Sequence, residues 1–131
     1  MFLLLLLCVL RRGQVLCSSA TRAAEALQEL RRAGARSTAK LWARHLRAEE
    51  QRAALAQRFV GVAAGTPGRV RQLWEEESFA PSHTQLLVLD CRPDANGHTL
   101  FSAPDSAAEL LPLLLLCLKR LHKGKLKIAC C

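Results

Sequence analysis

Residues 65–69, Gly-Thr-Pro-Gly-Arg, place a hydroxyl and a guanidinium directly after an apolar run. If a strand ends here and a helix begins, the first backbone N–H groups of that helix have no intrahelical partners. Such N–H groups, together with the Thr66 hydroxyl and Arg69, can bind a phosphate. The turn therefore predicts a phosphate site, with an ordinary strand-to-helix turn and a solvated Arg69 as the alternative.

Two more segments with chemically capable side chains follow apolar runs. Residues 18–22 carry hydroxyls and Arg22, and residues 90–94 carry the carboxylates of Asp90 and Asp94. In a parallel sheet the carboxyl ends of the strands meet at one edge, so all three segments are expected to lie together. Catalysis by the two carboxylates is disfavoured, because Pro93 and Gly97 indicate a loop.

The elements that would position these segments alternate between strand and helix patterns. An alternating order predicts an α/β fold, with a parallel sheet and helices on both faces. Gly34 is expected to close the first helix, Asp105 to cap the last, and Pro112 to kink or restart it. Trp42 and Trp74 are expected in the core, with stacking against nucleic-acid bases as the alternative. The expected strands are Val15–Cys17, Lys40–Leu46, Phe59–Ala64, Gln85–Asp90 and residues 125–130.

Composition and charge limit the classes of function that the chain can have. The chain has 131 residues, which suits one domain, and its hydrophobic content of 50% excludes a disordered tail. Its net charge is +8, and residues 1–71 hold 13 basic and 4 acidic residues, against 6 and 7 in residues 72–131. A basic first half suits a polyanion such as nucleic acid; an acidic membrane surface and a solubilising shell are the alternatives.

The cysteines and the apolar start carry less information. No Cys-x-x-Cys pair occurs, so neither zinc nor a disulfide framework is expected, and the six cysteines are interpreted as core residues in a reducing compartment. The apolar run after Met1 is too short for a membrane span, although a signal peptide, and hence a secreted basic protein, stays an alternative. Residues 110–118 are interpreted as a buried helix. The cysteines are Cys8, Cys17, Cys91, Cys117, Cys130 and Cys131.

Three segments resemble motifs of the DEAD-box RNA helicases. "ATRAAEAL" is similar to their Pro-Thr-Arg-Glu-Leu-Ala motif, "GTPGRV" to their Thr-Pro-Gly-Arg motif, and "LLVLD" to the strand before Asp-Glu-Ala-Asp. The resemblance implies a RecA-like, P-loop NTPase-like sheet. It also implies that the matching residues contact the RNA sugar-phosphate backbone: Thr21, Arg22, Thr66, Pro67, Gly68 and Arg69.

The departures from these motifs predict a loss of catalysis. No Gly-x-x-x-x-Gly-Lys-Ser/Thr loop occurs, so the sheet is expected to be partial and to lack the phosphate-loop strand. At the degenerate DEAD-like position Asp90 remains, whereas Cys91, Arg92 and Pro93 follow it. The chain is therefore not expected to be an ATPase or helicase, and no cofactor, metal or small-molecule substrate is expected.

The chain as a whole resembles the CMS-type ribosomal small subunit protein family, a helicase-like group. The segments that carry this resemblance are "CSSATRAAEALQELR", "AKLWARHLRAEEQ", "GVAAGTPGRV", "LLVLDCR" and "GKLKIA". The expected organisation is an unmatched apolar segment, residues 1–14, and a degenerate helicase-like α/β domain, residues 15–131.

The family implies a function in the nucleus and nucleolus. We expect a non-catalytic RNA-binding or scaffold factor in small ribosomal subunit biogenesis. Its partners would be pre-rRNA or small nucleolar RNA and pre-ribosomal proteins, without a membrane. The alternative from a different class is a protein interaction module that binds no RNA and docks a partner through the apolar C-terminal helix.

Overall fold

The computed structural model describes residues 12–44, 46–77 and 84–131. They form a parallel sheet of five strands covered by helices on both faces, which confirms the predicted α/β class. The strands are β1 (Gly13–Leu16), β2 (Thr38–Leu41), β3 (Val62–Gly65), β4 (Leu86–Leu89) and β5 (Lys127–Cys130). The helices are α1 (Ala20–Arg32), α2 (Ala48–Ala56), α3 (Pro67–Glu75) and α4 (Pro104–His122). The apolar run after Met1, which carries the signal-peptide alternative, lies outside the described residues.

The strand order in the sheet is β2-β3-β1-β4-β5. The central strands β3, β1 and β4 are fully buried, which explains their continuous runs of apolar or small residues. Register places Leu16 beside Gly65 on one side and beside Leu89 on the other. All three strand ends therefore lie at one edge of the sheet, as predicted.

Two hydrophobic layers hold the sheet. On one face α1 packs its Ala23, Leu27 and Leu30 against β1 and β3. On the other face α3 and α4 pack against each other and cover Leu16 and Leu87 from the opposite side. Because helices cover both faces of the sheet, the carboxyl ends of its central strands are the part that a ligand can reach.

The two tryptophans are buried, as predicted. Trp74 lies in the layer of α3 and α4, and Trp42 in the layer of α1. Their burial removes both as platforms for base stacking.

Several predicted boundaries were wrong by a few residues. β2 is Thr38–Leu41 instead of Lys40–Leu46, and β3 begins at Val62, so Phe59 lies on the surface. Both errors come from apolar residues in the flanking loops, which a sequence pattern cannot separate from strand residues. The strand expected at Val15–Cys17 also begins earlier, at Gly13.

The ends of the helices follow local chemistry. Gly34 closes α1 with a φ of 104°, and the N–H groups of Gly34 and Ala35 donate to the carbonyls of Arg31 and Leu30 in a Schellman arrangement. Asp105 lies in the first turn of α4 instead of at its cap. Pro112 lies inside α4, which continues through it without restarting. The interpretation of residues 110–118 as a buried helix was wrong for one face, where Leu111, Leu115 and Leu118 are exposed.

The expectation that all six cysteines belong to the core was wrong for two of them. Cys17 and Cys117 are buried and Cys91 is half-buried, whereas Cys130, in the edge strand β5, and Cys131, which follows that strand, are exposed. Cys8 lies outside the described residues. Burial raises the pKa of the Cys117 thiol to about 11. Among the described helices, none combines the length and hydropathy that crossing a membrane requires.

Candidate nucleic-acid interface

A groove lies at the carboxyl edge of the sheet, between the N-termini of α1 and α3. Its volume is about 470 Å³. Two of the three segments singled out from the sequence, those around Ser18 and Thr66, contribute to its walls. We call this site the groove. Its lining residues are Ser18, Ser19, Ala20, Ala43, Thr66, Pro67, Gly68, Arg69, Gln72, Asp105, Ser106 and Glu109.

The first turns of both helices present backbone donors at the groove. The Ser19 hydroxyl accepts a hydrogen bond from the backbone N–H of Arg22. The backbone N–H groups of Ala20 and Thr21 make no hydrogen bond to another described residue. In α3, Thr66 is the N-cap and makes no side-chain cap bond. Pro67 at the first position has no N–H to lose, so the donors of that turn are Gly68 and Arg69.

Ser18 adds an unsatisfied polar group to the groove. The residue is 9% exposed, and its hydroxyl has no hydrogen-bond partner among the described residues. Its carbonyl accepts a hydrogen bond from the Ser106 hydroxyl at 2.6 Å, which ties the end of β1 to α4. A buried hydroxyl without a partner is costly unless a ligand or water satisfies it.

The close pairing of β2 and β3 explains why a glycine ends β3. A Cβ atom on Gly65 would lie 2.2 Å from the Leu41 carbonyl oxygen. Only a residue without a side chain lets the chain pass Leu41 and start α3 at Pro67. The glycine therefore fixes where the N-terminus of α3 opens into the groove.

The side chain of Arg69 turns away from the phosphate position that the sequence predicted for it. Its Nη1 donates to the Leu46 carbonyl at 3.0 Å and to the Gln51 Oε1 at 2.7 Å. The Gln51 amide in turn donates to the carbonyls of Lys40 and Trp42. Arg69 thus fastens the loop before α2 to α3, and burial lowers the pKa of its guanidinium.

Arg22 is also engaged within the protein. Its Nη2 donates to Asp90 Oδ2 at 3.0 Å, and its Nη1 pairs with Glu25. Burial acts to lower the pKa of Arg22, but the hydrogen bond to Asp90 and the negative charges of Asp90 and Glu25 together raise it. Thr21, in the same turn, is exposed and is not among the residues that line the groove.

Asp90, Arg22, Arg92 and Glu29 form a closed ionic cluster, called here the Asp90 cluster. Asp90 is 1% exposed and accepts the Arg92 Nε at 3.0 Å and the Arg92 backbone N–H at 3.1 Å. Arg92 reaches Glu29 on α1 at 3.3 Å. Burial would raise the pKa of the Asp90 carboxyl, but the hydrogen bonds from Arg92 and Arg22 lower it.

Acidic residues limit the positive charge of the groove. Asp105 and Glu109 line it, and the Glu109 carboxylate pairs with Arg71 at 2.8 Å. From the sequence, Asp105 was expected only as a helix cap, and neither Glu109 nor Gln51 was singled out, because their roles depend on contacts with elements distant in the chain. Among the described residues, no three His, Cys, Asp or Glu side chains are grouped to hold a metal ion.

The sequence matches a family model and two curated relatives. The family model, described as "CMS1: U3-containing 90S pre-ribosomal complex subunit", matches residues 12–129. Protein CMSS1 of Danio rerio and protein CMSS1 of Homo sapiens are each 30% identical over 102 residues, which is 76% of this chain. The chain spans about a third of these relatives, 35% and 37% of their lengths.

A solved structure shares the fold. A DEAD box protein from the hyperthermophile Methanococcus jannaschii matches with a TM-score of 0.59 and 15% sequence identity. The match covers 91% of this chain and 30% of that protein. At 15% identity this likeness shows the fold alone, which is RecA-like.

Proposed function

The chain belongs to the CMS1 family of U3-containing 90S pre-ribosomal complex subunits, and we propose that it acts in small ribosomal subunit biogenesis as a non-catalytic factor that binds RNA. It would work in the nucleolus beside pre-ribosomal proteins and pre-rRNA or small nucleolar RNA. The observation that carries the proposal is the groove, where two helix N-termini and an unsatisfied buried hydroxyl converge.

The groove suits a sugar-phosphate backbone. The N–H groups of Ala20 and Thr21 on one side and of Gly68 and Arg69 on the other are directed donors at positive helix ends. The Thr66 hydroxyl adds a donor that makes no cap bond. Contacts of this kind hold phosphates without reading bases, so binding would tolerate many sequences and weaken with salt.

The walls of the groove are held in position by Arg22, Pro67 and the guanidinium of Arg69. Arg22 fixes the first turn of α1 to Asp90, and Arg69 fixes α3 to the loop before α2. Pro67 sets the first turn of α3 without removing a donor. In this proposal phosphate is bound by backbone and hydroxyl groups, while the two guanidiniums hold the helices in place.

The degenerate DEAD-like position supports a function without ATP hydrolysis. Asp90 is buried between two guanidiniums, which take the lone pairs that a magnesium ion would need. Cys91 and Pro93 replace the acidic residues of the helicase motif. Asp90 therefore serves as a structural anion in this proposal.

The test is RNA binding by a matched pair of variants at the N-cap of α3. Thr66→Asp and Thr66→Asn cap a helix equally well, but only the aspartate places a negative charge on the phosphate path. We expect Thr66→Asn to bind unstructured single-stranded RNA much as the wild type does and Thr66→Asp to bind far more weakly. Equal binding by both variants would remove the groove as the RNA site.

The exposed face of α4 favours a second candidate, a protein interaction module. Leu111, Leu115 and Leu118 are 64%, 56% and 54% exposed and recur on one face of the helix. Such an apolar stripe is typical of a protein contact. A wild-type chain that captures a pre-ribosomal protein through these leucines but binds no RNA would favour this candidate.

A further inference from the structure

We propose that a second phosphate-binding site for the same RNA lies at the outer edge of β2, an inference that rests on the proposed RNA-binding function. A concave pocket of about 360 Å³ lies there between the C-terminal end of α1, β2 and α2. We call it the β2-edge pocket. Four cationic side chains and one carboxylate line it: Arg31, Arg36, Lys40, Arg58 and Glu50.

Two of the four cations hold the wall of the pocket. Arg31 Nε donates to the Thr38 hydroxyl at 3.0 Å, and Arg58 Nη2 donates to the Thr38 carbonyl at 2.8 Å. Each of these bonds uses one of the five N–H donors of a guanidinium. Both arginines therefore keep donors for a ligand.

The other two cations have no carboxylate partner among the described residues. Arg36 and Lys40 are exposed, and neither takes part in an ion pair of the described chain. Lys40 lies over the Trp42 ring, 5.9 Å from its centroid, which orients the ammonium without neutralising it. The carboxylate of Glu50 accepts the Arg47 N–H at the start of α2. The pocket thus keeps a net positive charge.

The edge of β2 is closed to strand addition, which favours an anion over a peptide as the ligand. The Thr38 carbonyl accepts from Arg58, and the carbonyls of Lys40 and Trp42 accept from the Gln51 amide. With these carbonyls occupied by side chains, another protein strand cannot pair along this edge. The groups in the pocket that can bind a ligand are therefore its positively charged side chains.

The pocket adjoins the groove through one hydrogen-bonded junction. Leu46 and Gln51 line the pocket, and both accept hydrogen bonds from Arg69, which lines the groove. An RNA strand that leaves the groove over this junction meets Arg36 and Lys40. The pocket would therefore extend the bound length of RNA beyond the groove.

The test compares two variants that lose the same charge at opposite edges of the sheet. Arg36→Gln with Lys40→Gln removes two exposed cations from the β2-edge pocket. Lys125→Gln with Lys127→Gln removes two exposed lysines at the start of β5, at the other edge. Binding of unstructured single-stranded RNAs of increasing length, from about 4 to about 16 nucleotides, is measured across a salt series.

We expect the pocket variant to weaken binding of the longer RNAs only. Its slope of log affinity against log salt should be flatter by about 1.4. Each cation–phosphate contact with a single strand contributes roughly 0.7 to the slope, and the variant removes two cations. The β5 control should keep the wild-type slope. Unchanged melting temperatures of both variants would show that the exposed substitutions leave the fold intact.

The failures of the two proposals are distinguishable. Wild-type affinity for long RNA in the pocket variant, together with weak binding by Thr66→Asp, would overturn the pocket and leave the groove standing. Equal losses in the pocket variant and the β5 control would also overturn it, as a general effect of net charge. No RNA binding by the wild type would overturn both proposals.

Discussion

The Asp90 cluster and the groove occupy neighbouring parts of the same sheet edge but use their polar groups differently. In the Asp90 cluster, the carboxylate of Asp90 is enclosed by the guanidiniums of Arg22 and Arg92, so the opposite charges within the cluster pair with one another. In the groove, the Ser18 hydroxyl and the first N–H groups of α1 and α3 have no partner among the described residues. A cation within a motif can therefore be structural, while uncharged backbone groups remain open for a ligand.

The largest expected effect is on stability, at the Asp90 cluster. Asp90→Ala would remove the buried carboxylate that faces Arg22 and leave the exposed Glu25 as its remaining anionic partner, and we expect a loss of about 3 kcal/mol in the free energy of unfolding. Urea denaturation measures this loss. Asp94→Ala, in the following loop, is the control and should cost much less. Equal losses for the two variants would show that the cluster is not a closed structural unit.

A pair of glycine variants probes the groove side. Gly65→Ala would place a Cβ 2.2 Å from the Leu41 carbonyl oxygen, and we expect a loss of about 2 kcal/mol from the forced backbone shift. Gly68→Ala meets only the flexible Glu109 side chain at 3.4 Å, and alanine favours the helix by less than about 1 kcal/mol. Thermal melts should separate the two variants in opposite directions. A stable Gly65→Ala would contradict the close approach of β2 and β3.

The smallest expected effect is the pH dependence of the cluster. Because the pKa of Asp90 is lowered in the folded chain, its contribution to stability is fully present above the unfolded value of about 4 and is lost as pH falls below it. The difference in unfolding free energy between wild type and Asp90→Asn should therefore shrink on acidification from pH 6 to pH 3. A difference that stays constant over that range would mean that Asp90 gains nothing from its ion pairs.

Much of the fold was predictable because its signals are local. The alternation of strands and helices, the closure of α1 at Gly34 and the burial of Trp74 follow from periodicity and turn chemistry. The boundaries of β2 and β3 were not, because loop residues such as Phe59 are as apolar as strand residues. The exposure of Cys130 depends on the position of β5 at an edge, which periodicity does not contain.

The site was predictable in its place but not in its contacts. The segments around Ser18 and Thr66 meet as expected for strand ends of a parallel sheet. The partners of the two arginines were not predictable, since Arg22 meets Asp90 68 residues away and Arg69 meets Gln51 18 residues away. Pairings at such separations depend on the strand order.

Binding of RNA in the groove can be tested by mapping backbone amide chemical shifts by NMR during titration with unstructured single-stranded RNA. We expect the largest changes on the amides of Ala20, Thr21, Gly68 and Arg69, while the Arg22 side-chain signals stay near their free values because Asp90 holds them. Changes confined to the face of α4 that carries Leu111 and Leu115, with the groove amides unmoved, would contradict binding in the groove.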